Sequence, residues 1–148
     1  MVDEIDCSIL ELLARNSRVS LKDLAAEIHL SSPSTSERLQ RLEERGVIRA
    51  YTIDIEPRLL GHALQAIVRI RPLPGRLQVV QKLIAATPEI AECDKVTGDD
   101  CFIARLFVRS MEHLDKVVDR IAEEATTNTS IVKGQLIKRR PPPIATYQ

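Results

Sequence analysis

Ser34, Arg38, Arg41 and Arg45 follow one another at intervals of four, three and four residues, so on a helix they form a single stripe. Their chemistry suits a polyanion. A guanidinium can grip phosphate oxygens or bridge the O6 and N7 atoms of guanine, and small hydroxyls at a helix start fit against a sugar–phosphate backbone. Glu37, Glu43 and Glu44 fall off the stripe and need not repel such a ligand. The implied activity is the reading of double-stranded DNA by one helix. A merely solvated Arg/Glu face is the plainer alternative. Residues 1–60 hold eight Lys/Arg against eleven Asp/Glu, a net of −3, and residues 61–148 hold thirteen against ten, a net of +3. A basic footprint must therefore be local, in the stripe with Arg49 and Lys22.

The elements that would carry this stripe are legible in their punctuation. Ser20 is a helix N-cap with Asp23 at the capping-box position, so a helix opens near Leu21 with Leu24, Ala25 and Ile28 on its apolar face. Ser31, Ser32 and Pro33 stop it, and Ser32 as cap with Pro33 as first residue starts the next helix. There Thr35, Leu39 and Leu42 share an apolar face, and Gly46 ends the helix. A first helix spans residues 3–16 with Ile5, Ile9, Leu12 and Leu13 inward. Three short helices must pack on one another to persist. Residues 47–55 are rich in β-branched residues and read as a strand, followed by a linker at 58–61.

From Ala63 the pattern runs strand (63–71), helix (75–87), strand (90–97), strand (102–109), helix (capped by Ser110, to 125) and strand (131–138). Pro141–Pro143 forbid continuation. The order βαββαβ is the ferredoxin-like split motif, a sheet with both helices on one face. Apolar residues on both sides of 67–70 and 102–108 imply that the other sheet face is covered by a second copy. The fold class expected is thus α+β. A helix-turn-helix domain occupies residues 1–50, a strand and linker 51–62, a ferredoxin-like domain 63–140 and a Pro-rich tail 141–148.

Composition removes several function classes. Balanced charge and 44% hydrophobic residues describe a globular chain rather than a disordered one. No apolar run is long enough to span a bilayer and no secretory signal opens the chain, so no membrane partner is expected. Cys7, Cys93 and Cys101 show no CxxC spacing, which points to a reducing cytoplasm. His29, His62 and His113 are scattered singles, so neither a metal nor another cofactor is expected. Asp99-Asp100 could suggest a metal-dependent enzyme, but no nucleophile–base pair accompanies it. A protein-binding scaffold is the remaining alternative, with binding much less salt-sensitive than phosphate contact.

Taken with the segments Asp3–Leu10, Leu30–Glu43, Gly46–Tyr51 and Val96–Asp99, the chain resembles the Lrp/AsnC regulators over essentially its full length. That resemblance implies a transcription regulator with an N-terminal winged helix-turn-helix and a C-terminal effector domain. It implies homodimers through the C-terminal sheets, octamers built as tetramers of dimers, and an amino-acid-like effector between dimers. It assigns DNA contact to Ser32, Ser34, Thr35, Ser36, Arg38 and Arg41, to which the stripe adds Arg45. Effector contact falls to the hairpin Gly98, Asp99, Asp100, Cys101, and to Met111, Gly134 and Gln135. The hairpin departs from the usual Gly-Asp-x-Asp-Tyr form, because Cys101 stands where the second acid would meet an effector's amino group. An uncharged thiol cannot replace a carboxylate, and Asp100 lies one residue out of register. A different ligand, redox sensing through Cys101, or DNA binding with no ligand all stay open.

Overall fold

The computed structural model describes residues 2–146. The chain divides into two compact units, residues 2–54 with the tail from Leu136, and Ile55–Gln135. The first unit holds α1 (Glu4–Arg15), α2 (Leu21–Glu27) and α3 (Ser32–Glu44). Ile9, Leu24 and Leu42, one from each helix, are 1% exposed or less and form its centre. Burying each is worth roughly 1.5–3 kcal/mol, which is what lets three short helices persist together.

The helix ends follow local chemistry. Asp3 and Asp6 form a reciprocal capping box at α1, and Ser20 caps α2 by accepting the Asp23 N–H at 3.1 Å. α3 starts one residue earlier than its sequence suggests: Ser31, not Ser32, is the cap, accepting the Ser34 N–H at 3.3 Å. Pro33 then sits second in the helix, still within the first turn where no N–H is needed. Between α2 and α3 the chain reverses through His29 at φ 55°, a left-handed position that glycine would occupy without strain. Gly46 ends α3 at φ 70°, as expected.

The strand expected at residues 47–55 does not form. That segment is extended without ladder partners, and Ile53 and Ile55 are 78% and 51% exposed. Its alternating pattern is suited to pairing, but it joins no ladder among the described residues. Pro57–Leu60, expected as linker, wind into a short 3-10 helix.

The second unit is the ferredoxin-like fold. β1 (Leu64–Pro72), α4 (Leu77–Ala85), β2 (Ile90–Lys95), β3 (Phe102–Val108), α5 (Met111–Ala122) and β4 (Ala125–Ile131) give a sheet ordered β2-β3-β1-β4. The last strand is a correction. It runs over 125–131 rather than 131–138, pairing Pro72 with Ala125 and Ala66 with Ile131. Its Thr-Thr-Asn-Thr-Ser run reads as loop by polarity, yet it lies on a sheet edge where threonine's β-branched shape suits the pleat. Ala66, Val68 and Ile70 of β1 and Phe102, Ala104, Leu106 and Val108 of β3 face α4 and α5. The opposite face is more mixed than expected: Ile67, Ile103 and Phe107 alternate across the ladder with Arg69, Arg71 and Arg105.

Candidate DNA-binding face and effector hairpin

The residues named on α3 separate into two groups. Thr35 is fully buried, and its hydroxyl donates to the Ser31 carbonyl at 2.9 Å. It holds the first turn of α3 and presents nothing to a ligand. Arg38 also turns inward. Its Nη1 donates to Asp3 Oδ2 at 2.7 Å and Asp6 Oδ1 at 2.9 Å, and its side chain is 22% exposed. Asp6 is buried. The Asp6 backbone N–H and then Arg38 hold the Asp3 carboxyl below the usual range. One guanidinium thus ties α3 to the N-terminal capping box of α1, so Arg38, expected as a DNA contact, is engaged within the chain in a way its helical spacing did not show. The reason is contact order: the partners lie 35 and 32 residues away.

Ser34, Ser36, Arg41 and Arg45 remain exposed, and Ser32 is half-buried. Among the described residues Arg41 pairs with Glu37, 3.8 Å away across an open helix surface. Such a pair is worth little and yields readily to a stronger anion. Gln40 shares the exposed surface and donates to Glu44 at 2.8 Å. Its amide can read adenine N6 and N7. Charge spacing alone could not single it out, although its place one helical turn before Glu44 was visible. The Tyr51 hydroxyl donates to Glu43 at 2.7 Å and pins the extended segment to the last turns of α3. Burial and then Glu43 push that phenol up to about 12.

In the second unit the expected effector residues occupy opposite ends of the sheet. Gly98, at φ 98°, and Cys101, at φ 32°, lie in the β2–β3 turn. That turn sits where β3 begins, opposite Ile70. Met111 opens α5 just after β3 ends, and Gly134 and Gln135 follow β4, whose last residue pairs with Ala66. A seven-residue strand separates the two sets, roughly 20 Å. Gly134 has no positive φ and has open space about it.

Both hairpin acids face arginines of β1. Asp99 lies 3.6 Å from Arg71, whose Nε also donates to the Asp99 carbonyl at 2.6 Å, and Asp100 lies 3.7 Å from Arg69. Cys101 packs against the edge of the core. Its carbonyl accepts the Val96 N–H at 2.7 Å and closes the turn. Exposed Cys93 has its thiol pushed up by burial and then by Asp94, so it offers no ready thiolate. Among the described residues no cluster of His, Cys, Asp and Glu could hold a metal ion. No helix among them is long and apolar enough to cross a membrane.

A three-helix DNA-reading unit joined to a ferredoxin-like unit defines a regulator in which DNA contact and sensing are assigned to different units. Residues 2–49 match the winged helix-turn-helix DNA-binding family, and residues 65–142, more than half the chain, match the Lrp/AsnC ligand binding domain. The chain belongs to the Lrp/AsnC family of DNA-binding transcription regulators, and it is not an enzyme. It is similar to the HTH-type transcriptional regulator LrpA of Bacillus subtilis, at 31% identity over 91% of this chain and all of that one. The solved structure of B. subtilis LrpC superposes with a TM-score of 0.89 at 27% identity, over 94% of this chain and 99% of that one. The feast or famine regulatory protein of Mycobacterium tuberculosis, complexed with L-methionine, gives 0.90 at 29% identity, over 98% of this chain and 100% of that one.

Proposed function

We propose that the exposed surface of α3 meets the major groove through Ser34, Ser36, Gln40, Arg41 and Arg45, with Ser32 against the backbone at the helix start. Thr35 and Arg38 act as positioning residues. They fix the first turn of α3 and its attachment to α1, and so set the angle at which the helix is offered. The observation that carries this reading is the division on α3 between inward Arg38 and outward Arg41. Two such helices in a dimer would enter successive major grooves, about one helical turn apart.

The effector reading rests on the separation of its residues. Gly98, Asp99, Asp100 and Cys101 of one chain could meet Met111, Gly134 and Gln135 only from another chain, which favours a site between copies. Sheet-to-sheet homodimers, and octamers built from four of them, would supply such junctions, in the cytoplasm where the DNA is. An amino-acid-like ligand is favoured by the methionine complex of the M. tuberculosis protein. Here Arg69 and Arg71 beside the acids add carboxylate-binding groups, while Cys101 supplies no charge for an amino group. A second reading, an architectural regulator that needs no ligand, is favoured by the same pairing of both acids within the chain.

The test is binding to the chain's own upstream DNA across a salt series, with and without pooled amino acids. Steeply salt-dependent binding that the pool alters supports the effector-gated reading. Steep binding indifferent to the pool supports the architectural one. Binding insensitive to salt would overturn both.

A further inference from the structure

A cleft of about 380 Å³ opens in the second unit, walled by Pro57, Leu60, Pro88 and Phe107. It lies at the end of β3 where α5 begins, a strand's length from the Gly98–Cys101 turn. Its volume is at the small end of ligand sites, which run from about 300 to 1,000 Å³. Its polar lining is unusually ordered. Ser110 caps α5 by accepting the His113 N–H at 3.1 Å, and the Arg109 N–H donates to His113 Nδ1 at 3.2 Å. With Nδ1 accepting, the proton of the neutral ring sits on Nε2, which donates to Glu89 Oε1 at 3.0 Å. The Glu89 carboxylate is thereby fixed in one orientation. Its own backbone N–H, then His113 and Arg120, hold it below the usual range, so it is ionised at neutral pH.

Two polar atoms of this lining have no partner. Glu89 Oε2 is buried and accepts no hydrogen bond, and His62 Nδ1, in the same cleft, is likewise buried and unpaired. A charged oxygen left so is costly, and the loss is recovered when a donor arrives. No metal-binding group forms here among the described residues, so the missing partner is a hydrogen-bond donor rather than a cation held by several ligands. The walls ask for an apolar body behind it.

We propose that this cleft is a second small-molecule site, which takes a primary ammonium carried on a short apolar chain. Glu89 Oε2 accepts its charge-assisted hydrogen bond, His62 Nδ1 offers a further acceptor, and Phe107 and Leu60 flank the chain. His113 is a positioning residue that keeps Oε1 occupied and Oε2 free. The site uses none of the hairpin residues and stands whether or not the hairpin binds an effector.

The test uses the full chain with n-butylammonium as probe, and n-butanol and valerate as matched controls, read by calorimetry and thermal shift. The expected result is saturable binding of the ammonium alone, weakened about tenfold or more in Glu89→Gln and unchanged in Asp119→Asn, an exposed acid outside both sites. Ala91→Phe, which narrows the cleft and keeps the Glu89 carboxylate, should abolish it; circular dichroism confirms that each variant is folded. Equal binding by folded wild type and Glu89→Gln, or no binding by wild type, overturns the proposal. Loss of self-association in Glu89→Gln without ammonium binding also overturns it, because the cleft then holds a basic residue of a second copy.

Discussion

Arg38 in the first unit stands near two acids, and Arg69 and Arg71 in the second each stand near one, yet the pairs differ in kind. Arg38 reaches Asp3 and Asp6 at 2.7 and 2.9 Å, with Asp6 buried. Arg71 and Arg69 stand 3.6 and 3.7 Å from Asp99 and Asp100, with both arginine side chains about half exposed. A short contact to a buried carboxylate holds a fold together, and removing one side strands the other charge. A long, wet ion pair is nearly neutral and leaves the carboxylates available to a ligand, even though Arg71 also donates to the Asp99 backbone carbonyl at 2.6 Å. Distance and burial, not residue type, therefore separate charges that build this molecule from charges that serve it.

The largest expected effect breaks the tight cluster. Asp6→Ala or Arg38→Ala should lower the stability of the first unit by about 2–3 kcal/mol in urea denaturation. A loss below about 0.5 kcal/mol would make this cluster no different from the hairpin. Next is Arg41→Ala, which should weaken DNA binding by about 1–2 kcal/mol while leaving the melting temperature unchanged, measured by fluorescence anisotropy and calorimetry. The acid side of the cluster has a pH signature. Asp3 titrates lower folded than unfolded. Its stabilisation is therefore full above the ordinary aspartate value of about 3.9 and is lost as pH falls through the lowered one. Asp3→Asn should flatten that acid limb slightly, since Asp3 is half exposed. The smallest effect is at the hairpin, where Asp99→Asn or Asp100→Asn should shift stability by less than about 0.5 kcal/mol. A larger shift would show those acids to be structural.

How far the sequence was legible follows the range of the interaction. Ser20, Ser110 and Gly46 act within one turn of themselves, and their capping roles were readable from neighbours alone. The alternation of Phe102–Val108 states its burial directly, with every second residue buried against the helices. Ala125–Ile131 was misread because an edge strand needs only one covered face, so its polar residues carry no alternation. Residues 47–55 carry a strand pattern that no ladder in this chain satisfies. The ion pairs of Arg38 were illegible for the same reason at the level of side chains: helical spacing aligned it with Arg41, but its acids come from the start of α1. The cleft at Glu89 gave no signal at all, since its residues are drawn from three separate segments, 55–62, 88–91 and 107–113.

The most direct test of the account is the salt dependence of DNA binding for wild type, Arg38→Ala and Arg41→Ala, each compared at a temperature where it is fully folded. The account predicts that the slope of log K against log salt falls by about one for Arg41→Ala and is unchanged for Arg38→Ala. A slope that falls for Arg38→Ala and holds for Arg41→Ala would contradict it, placing Arg38 on the phosphates and Arg41 in the solvated face.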